Sequence, residues 1–260
     1  MPDASDRLTL HYQPQVSADG TRIVAVEALL RSTDPAFDTE DLPDLIERYA
    51  DAAGADALDL WVFQRACEDA RAWPQLTVSV NVEAERFRDP DFPERLAAIA
   101  AEAGADPGMI ELEIVENAYI GDFDAALATI TELRTLGFRV ALDDFGTGYS
   151  SLGYLLRLPV DKLKIDKCFV DDVATVKSAA IVHAVVALSR ALGLKVTAEG
   201  VETEEQWRFL RSAGCHYMQG WYFSRAVSPA RIGAMLAGRV PFGPEARRSV
   251  PPRAAAGTTR

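Results

Sequence analysis

Histidine and cysteine are scarce in this 260-residue chain, with three of each. Cys67, Cys168 and Cys215 lie far apart, are odd in number and show no Cys-x-x-Cys spacing. That argues against a disulfide framework or a thiolate zinc site and leaves free thiols in a reducing compartment. His11, His183 and His216 show neither His-x-His nor His-Glu-x-x-His spacing, which argues against zinc held by imidazole. Positive charge is also in deficit, with 27 Lys and Arg against 39 Asp and Glu, a net charge of −12. Such a balance disfavours nonspecific binding to duplex nucleic acid or to an anionic membrane. No apolar run approaches the roughly 20 residues that cross a bilayer. The opening residues MPDASD lack the basic-then-apolar order of an export signal, so a cytoplasmic protein is expected.

The rest is ordinary for a globular protein, with 48% apolar and 25% charged residues and enough length for a sizeable core. Runs rich in Val, Ile, Leu and aromatics predict strands over 8–16, 23–30, 76–82, 109–116, 139–145, 162–169, 195–201 and 217–223. Helical periodicity fills 55–71, 93–103, 123–136, 178–192 and 204–213, and the Gly137 and Gly193 that follow leucines close two of these. Eight strands, most followed by a helix, predict an α/β fold, a TIM-like (β/α)8 barrel. The six residues between Val16 and Ile23 are too few for a crossover helix, and Asp19-Gly20 reads as a hairpin turn. The first strand is therefore expected to run antiparallel. Residues 1–7 read as a polar segment, 8–241 as one barrel domain, and 242–260, rich in Pro and Arg, as a disordered tail.

Polar residues recur toward the strand ends: Glu27 in VAVEALLR, Asn81 in TVSVNV, Glu113 and Glu116 in IELEIVE, and Asp143 and Asp144 in ALDDF. Lys164 in LKID, Glu199 in VTAEGVE and Gln219 in YMQGWYF follow. Any one alone is more often an exposed face, an ion-pair partner or a loop cap. Glu111 and Lys162, near strand starts, keep that plain reading. Repetition on successive strands is different, because in a closed barrel these groups converge at the C-terminal face. Buried charges are rare unless paired or metal-bound. Converging carboxylates with one amide suit hard cations, Mg²⁺ or Mn²⁺. The adjacent aspartates allow one carboxylate to bridge two ions, spaced about 3.5–4 Å for an in-line phosphoryl displacement.

The motifs VEALLR, VNV, ELEIVE, LDDFGTGYSSL, LKID, AEGVE and QGWYF stand in the order found in EAL domains. From about Leu10 to Val227 the chain resembles these bacterial phosphodiesterases, which hydrolyse cyclic di-GMP to linear pGpG. The resemblance implies two ions held by Glu27, Asn81, Glu113, Asp143 and Asp144. It implies that Lys164 orients or polarises the attacking water, that Glu199 is a general base or metal-water partner, and that Gln219 holds that water. It also implies that Glu116 anchors the loop Gly146-Thr147-Gly148, that Glu202 supports the site from behind, and that Gln13 and Arg31 contact guanine or phosphate. A homodimer through the region 144–157 and control by a regulatory protein partner are further expectations.

The chain departs from the family in several places. Glu83 stands where Ser is usual, so a carboxylate either faces the phosphate rim or points outward. Val115, Ala226 and Ser32 replace a usual Thr, Pro and aromatic, and the stretch from 31 to 61 is short and acidic, with Asp34, Asp38, Glu40, Asp41 and Asp44. Two competing readings follow: a catalytically weak cyclic di-GMP receptor, and an interaction domain that titrates a regulator.

Overall fold

Hydrophobic alternation along these strands runs opposite to that of a sheet with one wet face: the apolar side points outward, toward helices. The computed structural model describes residues 8–33, 55–115, 123–146 and 152–243. The acidic positions from Asp34 to Asp44, the loop residues Glu116, Thr147 and Gly148, the segment 1–7 and the tail from 244 lie outside the described residues. Eight strands close into a barrel in sequence order: β1 (Leu8–Ser17), β2 (Ile23–Ser32), β3 (Thr77–Val82), β4 (Ile110–Val115), β5 (Arg139–Phe145), β6 (Lys162–Ile165), β7 (Lys195–Ala198) and β8 (Tyr217–Gln219). β1 pairs antiparallel with both β2 and β8, and the remaining pairs are parallel. The TIM-like barrel with a reversed first strand is therefore as expected.

The hairpin that reverses β1 is built locally. Gly20 adopts φ 71° and donates its N–H to the Ser17 carbonyl at 2.7 Å, while the Asp19 carboxylate accepts from Ser17 Oγ and the Thr21 N–H. Only a residue tolerant of positive φ fits such a turn. Outside the barrel lie α1 (Ala55–Ala70), α2 (Phe92–Ala103), α3 (Phe123–Thr135) and α4 (Leu152–Leu155), then α5 (Lys167–Asp171), α6 (Val176–Leu192), α7 (Glu204–Ala213) and α8 (Pro229–Leu236). Their ends carry their own signals. Thr203 and Gln206 form a capping box on α7, Thr175 caps α6, and Gly193 and Gly214 close these two helices in the left-handed region.

Three strands end sooner than the apolar runs suggest. β6 stops at Ile165 because the Asp166 carboxylate accepts from the Cys168 N–H and starts α5. β7 stops at Ala198, before Gly200 at φ 67°. β8 stops at Gln219, where the backbone of Gly220 packs so closely on that of Val201 that a Cβ would overlap it. Helix α8, which sequence periodicity did not reveal, packs on β1 and buries Ile232 and Met235.

On β3 to β6 the outward residues Val78, Val80, Ile110, Leu112, Ile114, Val140, Leu142, Leu163 and Ile165 are all buried in one core with the helices. The inward positions are polar or small and fall in two layers, two residues apart on each strand. Of the plain readings of Glu111 and Lys162, the structure bears out the ion pair and not the exposed face: the two are 2% and 5% exposed and face each other inside the barrel. Lys162 Nζ donates to Glu111 Oε1 at 2.6 Å and to Gln15 Oε1 at 3.2 Å, and Ser79 Oγ donates to the same Glu111 oxygen at 2.8 Å. Small Ala25 and Ala141 on neighbouring strands complete the level. Removing one partner of a buried pair leaves an uncompensated charge, whereas removing both is far cheaper. Lys162→Met is therefore expected to cost about 3–5 kcal/mol in urea unfolding, with most of it recovered in Lys162→Met/Glu111→Leu. A single-variant cost under ~1 kcal/mol would contradict the pairing.

Candidate active site

Two residues above the lower layer, at the strand ends, the charged groups gather. Glu27 on β2 accepts from Asn81 Nδ2 of β3 at 2.9 Å through Oε1, and from Gln219 Nε2 of β8 through Oε2. Gln219 Nε2 also approaches Gln13 Oε1 of β1 at 3.4 Å. Lys164 on β6, 1% exposed, donates to Glu113 Oε2 of β4 at 2.6 Å and Asp143 Oδ2 of β5 at 3.0 Å. It also pairs with Glu199 Oε1, just past β7, at 2.7 Å. One ammonium thus touches carboxylates from three other strands or strand ends. Lys164 is the cation that Asp143 faces.

Adjacent residues on a regular strand point to opposite faces, so Asp143 and Asp144 should not share a site. They do because the β5–β6 register shifts between Leu142 and Phe145, and Asp144 takes φ 53°, the positive-φ non-glycine position among the described residues. A bulge of this kind re-aims a side chain beside an active centre, and Asp tolerates the left-handed region better than most residues. The result is that Asp143, Asp144 and Glu199 each offer a carboxylate oxygen within 4.8 Å of the others. Glu199, read from sequence as a base or metal-water partner, is thus also one of the carboxylates best placed to share an ion with the aspartate pair.

Protonation follows from the crowding. Burial pushes Glu113 well above its usual range, against the pull of Lys164, and the neighbouring Glu27, Asp143 and Glu111 add to the rise. Burial raises Glu199 to about 8 despite Lys164. Asp144 rises to about 6 through burial and the charges of Asp143 and Asp166, and it shares a side-chain hydrogen bond with Asp166. Burial alone would lower Lys164, yet Glu113, Glu199, Glu27 and Asp143 hold it well above its usual value. Asp166 joins the site without standing out in LKID, whose lysine is the residue the motif singles out. An acid directly before α5 is a helix-start signal that could have drawn attention to it.

The other expected residues fall on the rim. Gln13 Nε2 donates to the Ser224 carbonyl at 3.2 Å. Arg31 is partly buried and donates to the Leu30 carbonyl at 2.6 Å. Gly146 holds φ 98° against the Phe169 ring. Glu202 pairs with Lys167 on α5 at 2.7 Å and is not among the carboxylates that touch Lys164. Beside Asn81 opens a cleft of about 620 Å³ between the ends of β2, β3 and β4, lined by Arg31, Val82, Glu83 and Val115. Glu83 is exposed and lines this cleft.

The sequence model of the EAL domain matches residues 3–226. The chain belongs to the EAL domain family. Glu27, Ala28 and Leu29 on β2 are the three letters of the family's name. The cyclic di-GMP phosphodiesterase NbdA of Pseudomonas aeruginosa is 39% identical over 240 residues, which cover 89% of this chain and 30% of that protein. A solved structure of PaMucR phosphodiesterase in complex with c-di-GMP superposes with a TM-score of 0.81 at 36% identity, covering 88% of this chain and 95% of that one. Klebsiella pneumoniae BlrP1, solved at pH 6 as a manganese/cy-diGMP complex, gives a TM-score of 0.76 at 32% identity over 87% of this chain and 57% of that one. The chain spans about a third of the length of several curated relatives that it matches. Among the described residues no helix is long and apolar enough to cross a membrane.

The pH dependence of this EAL domain follows from the raised carboxylates. A carboxyl whose folded pKa exceeds its unfolded value holds its proton longer in the native state, so stability falls as pH rises between the two values. With Asp144 at about 6 and Glu199 at about 8, the metal-free melting temperature should fall from pH 5 to pH 8. Added Mg²⁺ should raise it more at pH 8 than at pH 5, since cations bind the ionised form. A metal-free melting curve that is flat or rises over this range would contradict the crowding.

Proposed function

We propose that the chain hydrolyses cyclic di-GMP to linear pGpG by in-line attack of water with two divalent ions. The observation that carries this reading is a charge imbalance beside a cleft. Glu27, Glu113, Asp143, Asp144 and Glu199 converge around one ammonium, Lys164, leaving four formal negative charges. Two divalent cations cancel four charges, and an all-oxygen set suits Mg²⁺ or Mn²⁺. The donor set fits: Glu113 Oε1 is buried without a hydrogen-bond partner, and Asn81, which donates its Nδ2 to Glu27, keeps Oδ1 as a neutral ligand. Glu27, Asn81, Glu113, Asp143 and Asp144 would hold the two ions, with Glu199 beside the aspartate pair. When bound, the ions would supply Lewis-acid activation of water and positive charge for the phosphate oxygens.

The residues of the chain do the remaining work. Lys164 directs its ammonium at Glu113, Asp143 and Glu199, and a donor released from any of them is placed to hold the attacking water. Glu199, whose Oε1 contacts Lys164, would take up the water's proton at Oε2 from its ionised form, which bound divalent cations favour over the protonated one. Gln219 fixes the orientation of Glu27 and, with Gln13, closes the side of the site formed by β1 and β8. Arg31 supplies a cation on the rim of a cleft whose volume lies within the usual range for small-molecule sites. NbdA and MucR, named for activity on or binding of cyclic di-GMP, support this substrate.

The test is chromatographic: cyclic di-GMP is incubated with the purified chain and Mn²⁺, with and without chelator, beside Glu27→Ala. Formation of pGpG is expected to stop in excess chelator. Glu27→Ala should lower turnover about 100-fold or more, since even outer partners of metal ligands cost 10–100-fold. Unchanged turnover in a variant that melts normally would overturn the metal assignment. Intact substrate together with tight binding would make the protein a receptor.

A further inference from the structure

The opposite end of the barrel carries a different charge pattern. At the N-terminal ends of the parallel strands a cavity of about 120 Å³ is lined by Arg139 of β5, Lys162 of β6 and Lys195 of β7. These three cations stand on adjacent strands, and Lys162 and Lys195 are register partners. In a chain of net charge −12, three neighbouring cations on one cavity are a local reversal of sign.

Two carboxylates also line the cavity, Glu111 paired with the cavity's own Lys162 and Asp161 with groups outside it, which leaves Arg139 and Lys195 as the excess positive charge. Glu111 Oε1 accepts from Lys162 and Ser79. Asp161 accepts from Arg134 at 2.7 Å and from the Val140 N–H at 3.0 Å, so a fourth cation offsets it. The cations are less fully engaged. Lys162 Nζ makes two of the three hydrogen bonds an ammonium can donate, to Glu111 and Gln15. It is 5% exposed yet forms part of the cavity wall. Beside it, Gln15 Nε2 is a buried donor without a partner, on a side chain 0% exposed whose Oε1 Lys162 already occupies. Arg139 gives one bond to Thr77 Oγ1, and Lys195 is an exposed lysine with no ion pair among the described residues.

We propose that the floor of the barrel binds a small oxyanion of the phosphate class, held by Arg139, Lys195 and the buried ammonium of Lys162. Neutral molecules would leave these donors unmatched, and a divalent cation would meet like charge. A tetrahedral dianion offers several acceptors at once to a guanidinium and two ammonium groups, the charge-assisted pairing that favours phosphate. The site lies at the far end of the strands from the carboxylates and does not depend on the proposed phosphodiesterase activity.

The probe is inorganic phosphate added to the metal-free full chain, with sodium chloride at matched ionic strength as reference and 5′-GMP as a second arm. Backbone amide shifts and the melting temperature are followed. Saturable shifts at Arg139, Lys195 and their neighbours are expected, with a rise in melting temperature that chloride does not give. Arg139→Gln/Lys195→Gln changes exposed side chains and should leave folding intact while weakening phosphate at least about tenfold, the loss expected from removing one charge-assisted hydrogen bond. A response to phosphate alone identifies the free ion, and an equal response to 5′-GMP identifies a terminal phosphomonoester, and either supports the site. No phosphate response beyond chloride, a response only to 5′-GMP, or full phosphate affinity in the double variant would overturn it.

Discussion

The structure depends on one buried ammonium. Lys164 Nζ lies within 3.0 Å of Glu113, Asp143 and Glu199, which come from different strands or strand ends. Burying a carboxylate without a partner costs several kcal/mol even after relaxation, so without this lysine the upper end of the barrel could not close as drawn. One positive charge is still too few for five acids. The raised pKa values of Glu113, Asp144 and Glu199 are the visible sign of that shortfall, and the reading of the site as a place for divalent cations rests on the charge imbalance.

That excess is affordable because the fold turns the usual alternation inside out. Apolar strand residues face a shell of helices and form the continuous core, while polar residues line the interior in two levels. The lower level pairs Lys162 with Glu111 and the upper level pairs Lys164 with Glu113, each pair drawn from the same two strands. The two-residue period of β4 and β6 thus stacks one ion pair above another.

Much of this was legible in sequence because strand periodicity is strict. Asn81 in VNV, Glu113 in LEI and Lys164 in LKI declare inward polar positions, and the hairpin turn declares the reversed first strand. What escaped depends on backbone detail or on distant partners. The shared orientation of Asp143 and Asp144 rests on a register shift and one positive φ, which no residue pattern states. Glu111 and Lys162 look like surface charges until the barrel brings together groups 51 residues apart. The runs through Asp166 and Gly220 read as longer strands because their apolar and aromatic residues serve the core from a helix and a turn. Helix α8 announced itself only through Ser228 and Pro229, a short start signal without a long periodic run behind it.

The central claim is that the carboxylates around Lys164 are arranged for two divalent ions. Calorimetric titration of the metal-free protein with Mn²⁺ at pH 8, without nucleotide, tests it most directly. Two ions per chain, with proton release on binding and loss of at least one site in Asp143→Asn, is the predicted result. Absence of binding, or binding that Asp143→Asn leaves unchanged, would contradict it.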